Sequence, residues 1–370
     1  MNIQFHWMGY EALLSYSLCF TMFFLGISRD VIQLPALVSS IAISGVDLFF
    51  VLSGFLIGGI IIDEHKNRRF WKSFVLRRIG RIFPVYFLII GSFSITMLLL
   101  PNRGFLDDFS LINPLPIAPY FVFLQSYFQG IANTAGPYWV AMTWTLSVEE
   151  QFYIILPLVA MLFGRKGIML AIFIAIVAAP FIRHWAGAEF GFYAGYMLFP
   201  SRMDSLAMGV VVAFTVRNDK LFSFFSKSKL LYVIAFILFF YLKEKVRIGG
   251  FLIDYYHFRA MFYASIVLIV ITKKNILITW VFENKVIVFF GSISYGLYIY
   301  HQLMNGLLHS ILNNRAPKID SMDSFAIAIF VFLVSIGVSA VSRKYFEFPI
   351  RNYFKHKANA LTDSSLKETR

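Results

Sequence analysis

Long apolar runs separated by short polar gaps recur from one end of the chain to the other. A membrane span needs about 20 mainly apolar residues. Ten such runs can be placed, near 10–27, 36–62, 74–100, 139–163, 168–182, 195–216, 230–242, 257–272, 286–304 and 325–342. The seventh and eighth are the shortest. The stretch 119–128 is apolar but too short to cross; Pro114, Pro116, Pro119 and Pro137 bracket it. It reads as a re-entrant or interfacial segment. The pattern predicts an all-α integral membrane protein of about ten transmembrane helices, with one membrane domain over 1–354 and a polar cytoplasmic tail over 355–370. The last residues, Leu361 to Arg370, read as disordered. No repeat with a period of 20–50 residues is present, and the chain opens without the basic, apolar and small-residue order of a signal peptide.

Composition narrows the class. Of 370 residues 59% are apolar and only 14% charged, with 43 Phe, against about 25% charged in soluble domains. A water-facing surface cannot be built from so few charges. A soluble globular enzyme and a disordered chain are excluded, as is a disulfide scaffold, since Cys19 is the single cysteine. Cys19 reads as a small apolar residue within a span.

The formal net charge is +13. In a soluble protein that would point to nucleic acid; here it asks which side of a bilayer holds the cations. Alternate gaps between the runs hold 20 Lys and Arg in one set and 8 in the other. The bias places the richer set and both termini in the cytoplasm, and nucleic acid is not needed to explain the charge.

Ionisable groups inside spans are costly and mark sites by default. Five groups stand out. Asp47 lies in the second run, which Ser53-Gly54 interrupts; a kink with a satisfied Asp is the structural alternative. Arg78 and Arg81 are three apart on one helix face, which suits a phosphate clamp or snorkelling to headgroups. Glu149 and Glu150 enter a span from its outer side; adjacent helix positions diverge by about 100°, so only one can face a given cavity. A desolvated Glu suits general acid–base work; an interfacial pair in an aromatic belt is the other reading. Arg202 and Asp204 form a buried cation and anion, most simply an ion pair. Tyr295 and His301 sit in a Ser- and Tyr-rich run, His301 being either a structural histidine or an acid–base group.

In order, the segments GVDLFFVLSGFL, RRIGRIFP, WTLSVEEQFY, RMDSLAMG, SISYGLYIYH and the closing Tyr345-Phe346-Glu347-Phe348-Pro349-Ile350-Arg351 resemble the acyltransferase-3 family of membrane O-acyltransferases, over about residues 44–354. The resemblance implies ten spans in the bacterial cytoplasmic membrane. It implies acyl-CoA, most simply acetyl-CoA, as donor on the cytoplasmic side, with no metal. A hydroxyl of an envelope glycan or lipid-linked saccharide would be the acceptor. Arg78 and Arg81 would hold the CoA phosphates, Glu149 and His301 would be the acid–base candidates, and Asp47, Ser53, Arg202, Asp204 and Tyr295 would shape the substrate cavity.

One departure matters. The family's first span reads like Leu-Asp-Gly-Leu-Arg-Gly, and its Arg precedes, after ten intervening residues, a His thought to be the catalytic base. Here that span runs Met8-Gly9-Tyr10-Glu11-Ala12-Leu13-Leu14 and on to Thr21-Met22, with neither residue. Back-translated, the third base of each codon joined to the next two spells Leu-Asp-Gly-[Leu/Ile/Val]-Arg-[Gly/Ser] from His6 to Ala12, the Arg codon alternating with a stop. The same frame permits His at Thr21-Met22, with ten residues between it and that Arg. The segment to about residue 24 therefore reads as out of frame with the rest, and a product lacking the base is expected to transfer little acyl group. Two other classes compete: a transporter or flippase, which would show inverted repeats and broken helices, and a non-catalytic scaffold of an envelope complex.

Overall fold

The computed structural model describes residues 44–66, 70–99, 115–241, 246–248, 251–253, 255–272, 284–313 and 321–368. The first expected span, Cys19 and the residues bearing on the reading frame lie outside the described residues. Helix α1 spans Gly45–Glu64, α2 Phe70–Leu99, α3 Ala118–Phe121 and α4 Gln125–Ile131. A 3₁₀ turn at Tyr138–Thr143 leads into α5, Trp144–Phe190. Helices α6, Phe192–Met197, and α7, Phe199–Val216, follow, then α8, Asp219–Lys227, and α9, Leu230–Tyr241. A small antiparallel hairpin pairs β1, Val246–Ile248, with β2, Phe251–Ile253. The chain continues as α10, Tyr255–Thr272, α11, Lys285–Asn313, and α12, Met322–Ser342. A π-helical turn, Arg343–Glu347, joins α12 to α13, Phe348–Glu368.

The described residues are thus helical apart from the hairpin. Among the described residues six helices are long and apolar enough to cross a membrane, and a seventh if α8 and α9 are one bent span. Their outer faces are oily: Leu98 is 80% exposed, Leu162 73% and Phe173 65%. Such side chains are stable against lipid tails and costly in water. This is a multi-pass membrane protein.

Where the apolar runs end, specific residues end the helices. The 47 residues of α5 would measure about 70 Å unbroken, more than twice a hydrocarbon core. They break at Gly164, whose φ of 61° only glycine adopts cheaply. The fourth and fifth expected spans lie on either side of this break. The loop expected around 183–194 is instead helical to Phe190, and from it Arg183 reaches Ser201 and Asp204 of α7. Helix α8 is capped by the Asn218 side chain, which accepts from the N–H groups of Lys220 and Leu221. It meets α9 at 77°. The apolar stretch 119–128 forms α3 and the start of α4, with Tyr120 and Gln125 fully buried against the bundle.

The expectation of a disordered tail is corrected. Helix α13 runs to Glu368, and its turns before Leu361 pack on the bundle. Ala358 is fully buried, Phe354 lies against Gly80 of α2, and Asn359 accepts a hydrogen bond from Arg77 at 3.2 Å.

Helices α1 and α7 form the centre of the bundle and touch backbone to backbone. A Cβ on Gly54 would lie 1.9 Å from the Leu206 carbonyl oxygen, and one on Gly209 2.0 Å from that of Val51. Only hydrogen fits at either position. Near one end of the pair Asp47 meets Arg202. Near the other, Arg217 grips Asp63 through two hydrogen bonds of 2.7 and 2.6 Å.

Candidate active site

The α1–α7 crossing fixes the wall against which a cavity opens, lined by α1, α2, α5 and α11. From α1 come Phe49, Ser53, Leu56 and Ile57; from α2 Arg78, Arg81 and Ile82; from α5 Leu146, Glu149 and Tyr153; from α11 Ser294, Tyr295 and Tyr298. Helical spacing explains each set. Residues three or four apart share a face, so Leu146, Glu149 and Tyr153 point inward together, and Glu150, one step round, does not line the cavity.

The polar groups interlock. Ser53 and Tyr153 hydroxyls are 2.6 Å apart, and the Glu149 carboxylate lies beside both, within the field of Arg81 and Arg78. The Arg78 guanidinium rests 5.6 Å from the Phe74 ring centre and 5.4 Å from that of Tyr153. Aromatic faces hold a cation without consuming its N–H donors. Arg78 Nε and Glu149 Oε1 are buried without a hydrogen-bond partner among the described residues, a state that costs free energy unless a ligand or water meets them. Tyr295 donates to the Ile82 carbonyl at 2.6 Å, tying α11 to the arginine helix. At the inner end Phe49 stacks on Tyr298 at 6.1 Å, and the Tyr298 hydroxyl lies 2.5 Å from that of Thr145.

The nine residues singled out from sequence separate into three places. Arg78, Arg81, Glu149, Ser53 and Tyr295 line this cavity. His301 does not: its Nδ1 is 2.7 Å from the Tyr298 carbonyl, behind the wall. Asp47, Arg202 and Asp204 form a second, closed cluster between α1, α5, α7 and α10. Arg202 is fully buried against Asp47, and Arg259 stands 3.7 Å from the same carboxylate. Asp204 takes Arg183 at 2.7 Å and His257 at 3.1 Å. The Tyr256 ring lies under three guanidiniums, those of Arg183, Arg202 and Arg259, at 5.4, 4.8 and 5.7 Å. Residues Arg202 and Asp204, two apart in sequence, therefore pair with different partners rather than with each other.

Sequence reasoning missed Arg183, His257 and Arg259 in the cluster, and Ser294 and Tyr298 in the cavity. Arg183 was counted among loop cations, yet its side chain is 3% exposed. The available signal was Arg259, an intramembrane cation that needs an acidic partner. Among the described residues no group of three His, Cys, Asp or Glu is placed to hold a metal.

Chemically, the cavity joins a pair of arginines suited to an anion with a carboxylate beside two hydroxyls, which can accept or pass a proton. Comparison with known proteins points to acyl transfer. The chain is 25% identical over 345 residues to a Staphylococcus aureus (strain COL) protein named "Putative O-acetyltransferase", covering 83% of this chain and 52% of that protein. It is 28% identical over 272 residues to "Putative acetyltransferase ORF330" of Acidianus two-tailed virus, covering 71% and 73%. An uncharacterized Haemophilus influenzae protein is 33% identical over 152 residues, 37% of this chain and 60% of that one. The chain spans about half the length of the S. aureus relatives it matches. No solved structure matches. A family profile described as an acyltransferase domain covers residues 5–344, nearly all of the chain that carries the cavity, and the chain belongs to that family, acyltransferase-3.

Proposed function

We propose that this protein is a membrane O-acyltransferase of the bacterial cytoplasmic membrane. It moves an acyl group, most simply acetyl, from cytoplasmic acyl-CoA to a hydroxyl of an envelope glycan or lipid-linked saccharide. The observation that carries the reading is the convergence of Arg78 and Arg81 with Glu149, Ser53 and Tyr153 on one cavity. The positive-inside bias supports it from a separate direction, because it puts the arginine end of α2 on the side where CoA is found.

Arg78 and Arg81 would bind the CoA phosphates, with Arg78 held ready by Phe74 and Tyr153. In the transfer the acceptor oxygen bonds to the thioester carbonyl carbon, the carbon–sulfur bond breaks and CoA leaves as the thiol. The acceptor proton must go to a base. Glu149, beside the Ser53 and Tyr153 hydroxyls, would carry it onward or orient the base, a role the family assigns to a first-span His that this chain lacks. We therefore propose that the chain as written is slow or inactive, its first residues being out of frame, and that a frame-restored version is the working enzyme.

The test is acetyl transfer from labelled acetyl-CoA to isolated envelope glycan by the purified, liposome-reconstituted protein, in both versions. Label on the glycan with the restored version alone supports the whole reading. Full transfer by the chain as written overturns its inactivity, and no transfer or CoA binding by either version overturns the acyltransferase reading. The nucleotide sequence checks the frame directly: a stop at Tyr10-Glu11, or no His codon at Thr21-Met22, ends that part.

A further inference from the structure

The charged cluster between α1, α5, α7 and α10 is closed except at His257. The side chains of Arg183, Arg202, Arg259, Asp47 and Asp204 are at most 6% exposed, whereas that of His257 is 16% exposed. It stands in the first turn of α10, and Asp204 fixes its ring. Asp204 Oδ2 lies 3.1 Å from His257 Nδ1 and accepts from Arg183 at 2.7 Å, while Oδ1 accepts from the Ser205 N–H at 3.0 Å. Arg183 is anchored in turn on the Ser201 carbonyl. A carboxylate paired with arginine only accepts, so the hydrogen between Asp204 and His257 is carried by Nδ1. The neutral ring then presents its lone pair at Nε2. Nε2 has no hydrogen-bond partner among the described residues and is not sealed from the surface.

Asp204 does not need this histidine for charge, because Arg183 already neutralises it at the shorter distance. The pairing instead sets the histidine: one nitrogen is held and the other is offered outward. Its surroundings suit a ligand with both an apolar face and hydroxyls. The next ring in sequence, Tyr256, abuts Tyr196 at 5.5 Å, and the exposed Phe192 stacks on Tyr196 at 5.6 Å. Aromatic surface with a few placed polar groups is the usual make-up of a small-molecule site, and a sugar ring offers C–H faces to the one and hydroxyls to the other. The gaps 183–194 and 243–257, which precede α7 and α10, belong to the cation-poor set. The charge bias therefore puts His257 on the outer side, opposite the arginine end of α2.

We infer that His257, oriented by Asp204, is an acceptor-binding residue on the outer side of the bundle, its Nε2 accepting a hydrogen bond from a saccharide hydroxyl. This rests on the reading above that the acceptor is an envelope glycan. It adds a second binding place, separate from the cavity of Arg78, Arg81 and Glu149.

Two measurements test it. In the chain as it stands, in detergent micelles, diethyl pyrocarbonate attacks a free neutral imidazole nitrogen, and the modified histidine is located by peptide mapping. His257 should react, and isolated envelope glycan should slow its modification several-fold while CoA does not. An unreactive His257, or one that the glycan leaves unprotected, overturns the inference. In the frame-restored protein, His257→Asn places an amide N–H where Nδ1 stood, so Asp204 keeps its partner while Nε2 is lost. It should raise KM for the glycan about tenfold, the scale of one hydrogen bond, with KM for acetyl-CoA unchanged. His257→Gln, which carries its amide where Nε2 stood, should recover part of that loss. Parent-like glycan KM in His257→Asn would make His257 a partner for Asp204 alone and overturn the inference, with the acyltransferase reading still standing. No transfer by the restored protein, with His257 still protected by the glycan, overturns the acyltransferase reading and supports the glycan site.

Discussion

The closed cluster around Tyr256 offers the sharpest test of how the bundle is held. Consider Asp47→Asn. Arg202 has no exposure, Asp47 is its anionic partner, and its Nε and Nη1 have no hydrogen-bond partner among the described residues. Three rings, Phe50, Tyr196 and Tyr256, lie 5.5, 5.4 and 4.8 Å from its guanidinium carbon. Removing the negative charge leaves a buried cation with ring contacts, a neutral amide oxygen and the field of Asp204. Breaking a buried pair from one side costs about 3–5 kcal/mol. The rings return about 1–2 kcal/mol of this at most, since they already act in the parent. Arg259 at 3.7 Å loses a further Coulomb attraction of about 4 kcal/mol before solvent and desolvation reduce it. A net loss of about 3 kcal/mol follows. Arg202→Met should cost less, because Asp47 keeps Arg259. The double variant Asp47→Asn/Arg202→Met should cost at least about 2 kcal/mol less than the two single losses together. The assay is reversible unfolding in mixed micelles on rising dodecyl sulfate, followed by the fluorescence of Trp144, whose ring lies 5.0 Å from that of Tyr196. A single-variant loss below about 1 kcal/mol, or simple additivity, would show that the charges are not the cohesive element and refute the reasoning.

Other outcomes follow from the same geometry. Gly209→Ala should destabilise by at least the 1–3 kcal/mol typical of overpacking, because its Cβ would meet the Val51 backbone; an unchanged melting temperature in detergent would contradict the backbone contact. Arg78→Ala with Arg81→Ala in a frame-restored protein should raise KM for acetyl-CoA by about a hundredfold, on the scale of two charge-assisted contacts, and an unchanged KM removes their role. Glu149→Gln should lower kcat by about 10²–10⁴, the range of acid–base catalysis, while CoA binding stays within a few-fold; equal loss of both would make Glu149 a structural group.

Much of the site was legible before any coordinates. Arg78 and Arg81 announce themselves by helical spacing and by their cost in a span; helix geometry says that only one of Glu149 and Glu150 can face a cavity, and the family resemblance picks Glu149. The ladder of apolar runs likewise anticipates the long apolar helices α1, α2, α5, α7 and α9 to α12, but not α8, which lies in an expected gap. What the sequence does not show is which costly residues meet. Ser53 reaches Tyr153 across 100 positions, and Asp47 reaches Arg202 across 155; such pairings depend on how helices cross. Arg183 escaped notice because the apolar run thins near it, so it resembled a loop cation until Asp204 and the Ser201 carbonyl, at 2.7 Å each, were seen to receive it. The start of α13 was hidden for a similar reason: a polar stretch reads as tail unless the groove at Gly80 that accepts Phe354 is known.

The contact between α1 and α7 has a consequence for how substrates could reach the cavity. The two helices are pinned at three levels, by Asp47 with Arg202, by the facing glycines, and by Asp63 with Arg217. To slide by one turn, about 5.4 Å, the pair would have to break both ion pairs and drive backbone into backbone at the middle. A carrier that works by rocking its halves across this seam is therefore disfavoured. On the opposite wall α2, α11 and the C-terminal segment meet through side chains that reach main-chain oxygens, as Tyr295 does at the Ile82 carbonyl. In mechanical terms α1 and α7 are the anvil of the molecule, the fixed seam on which the cavity is built.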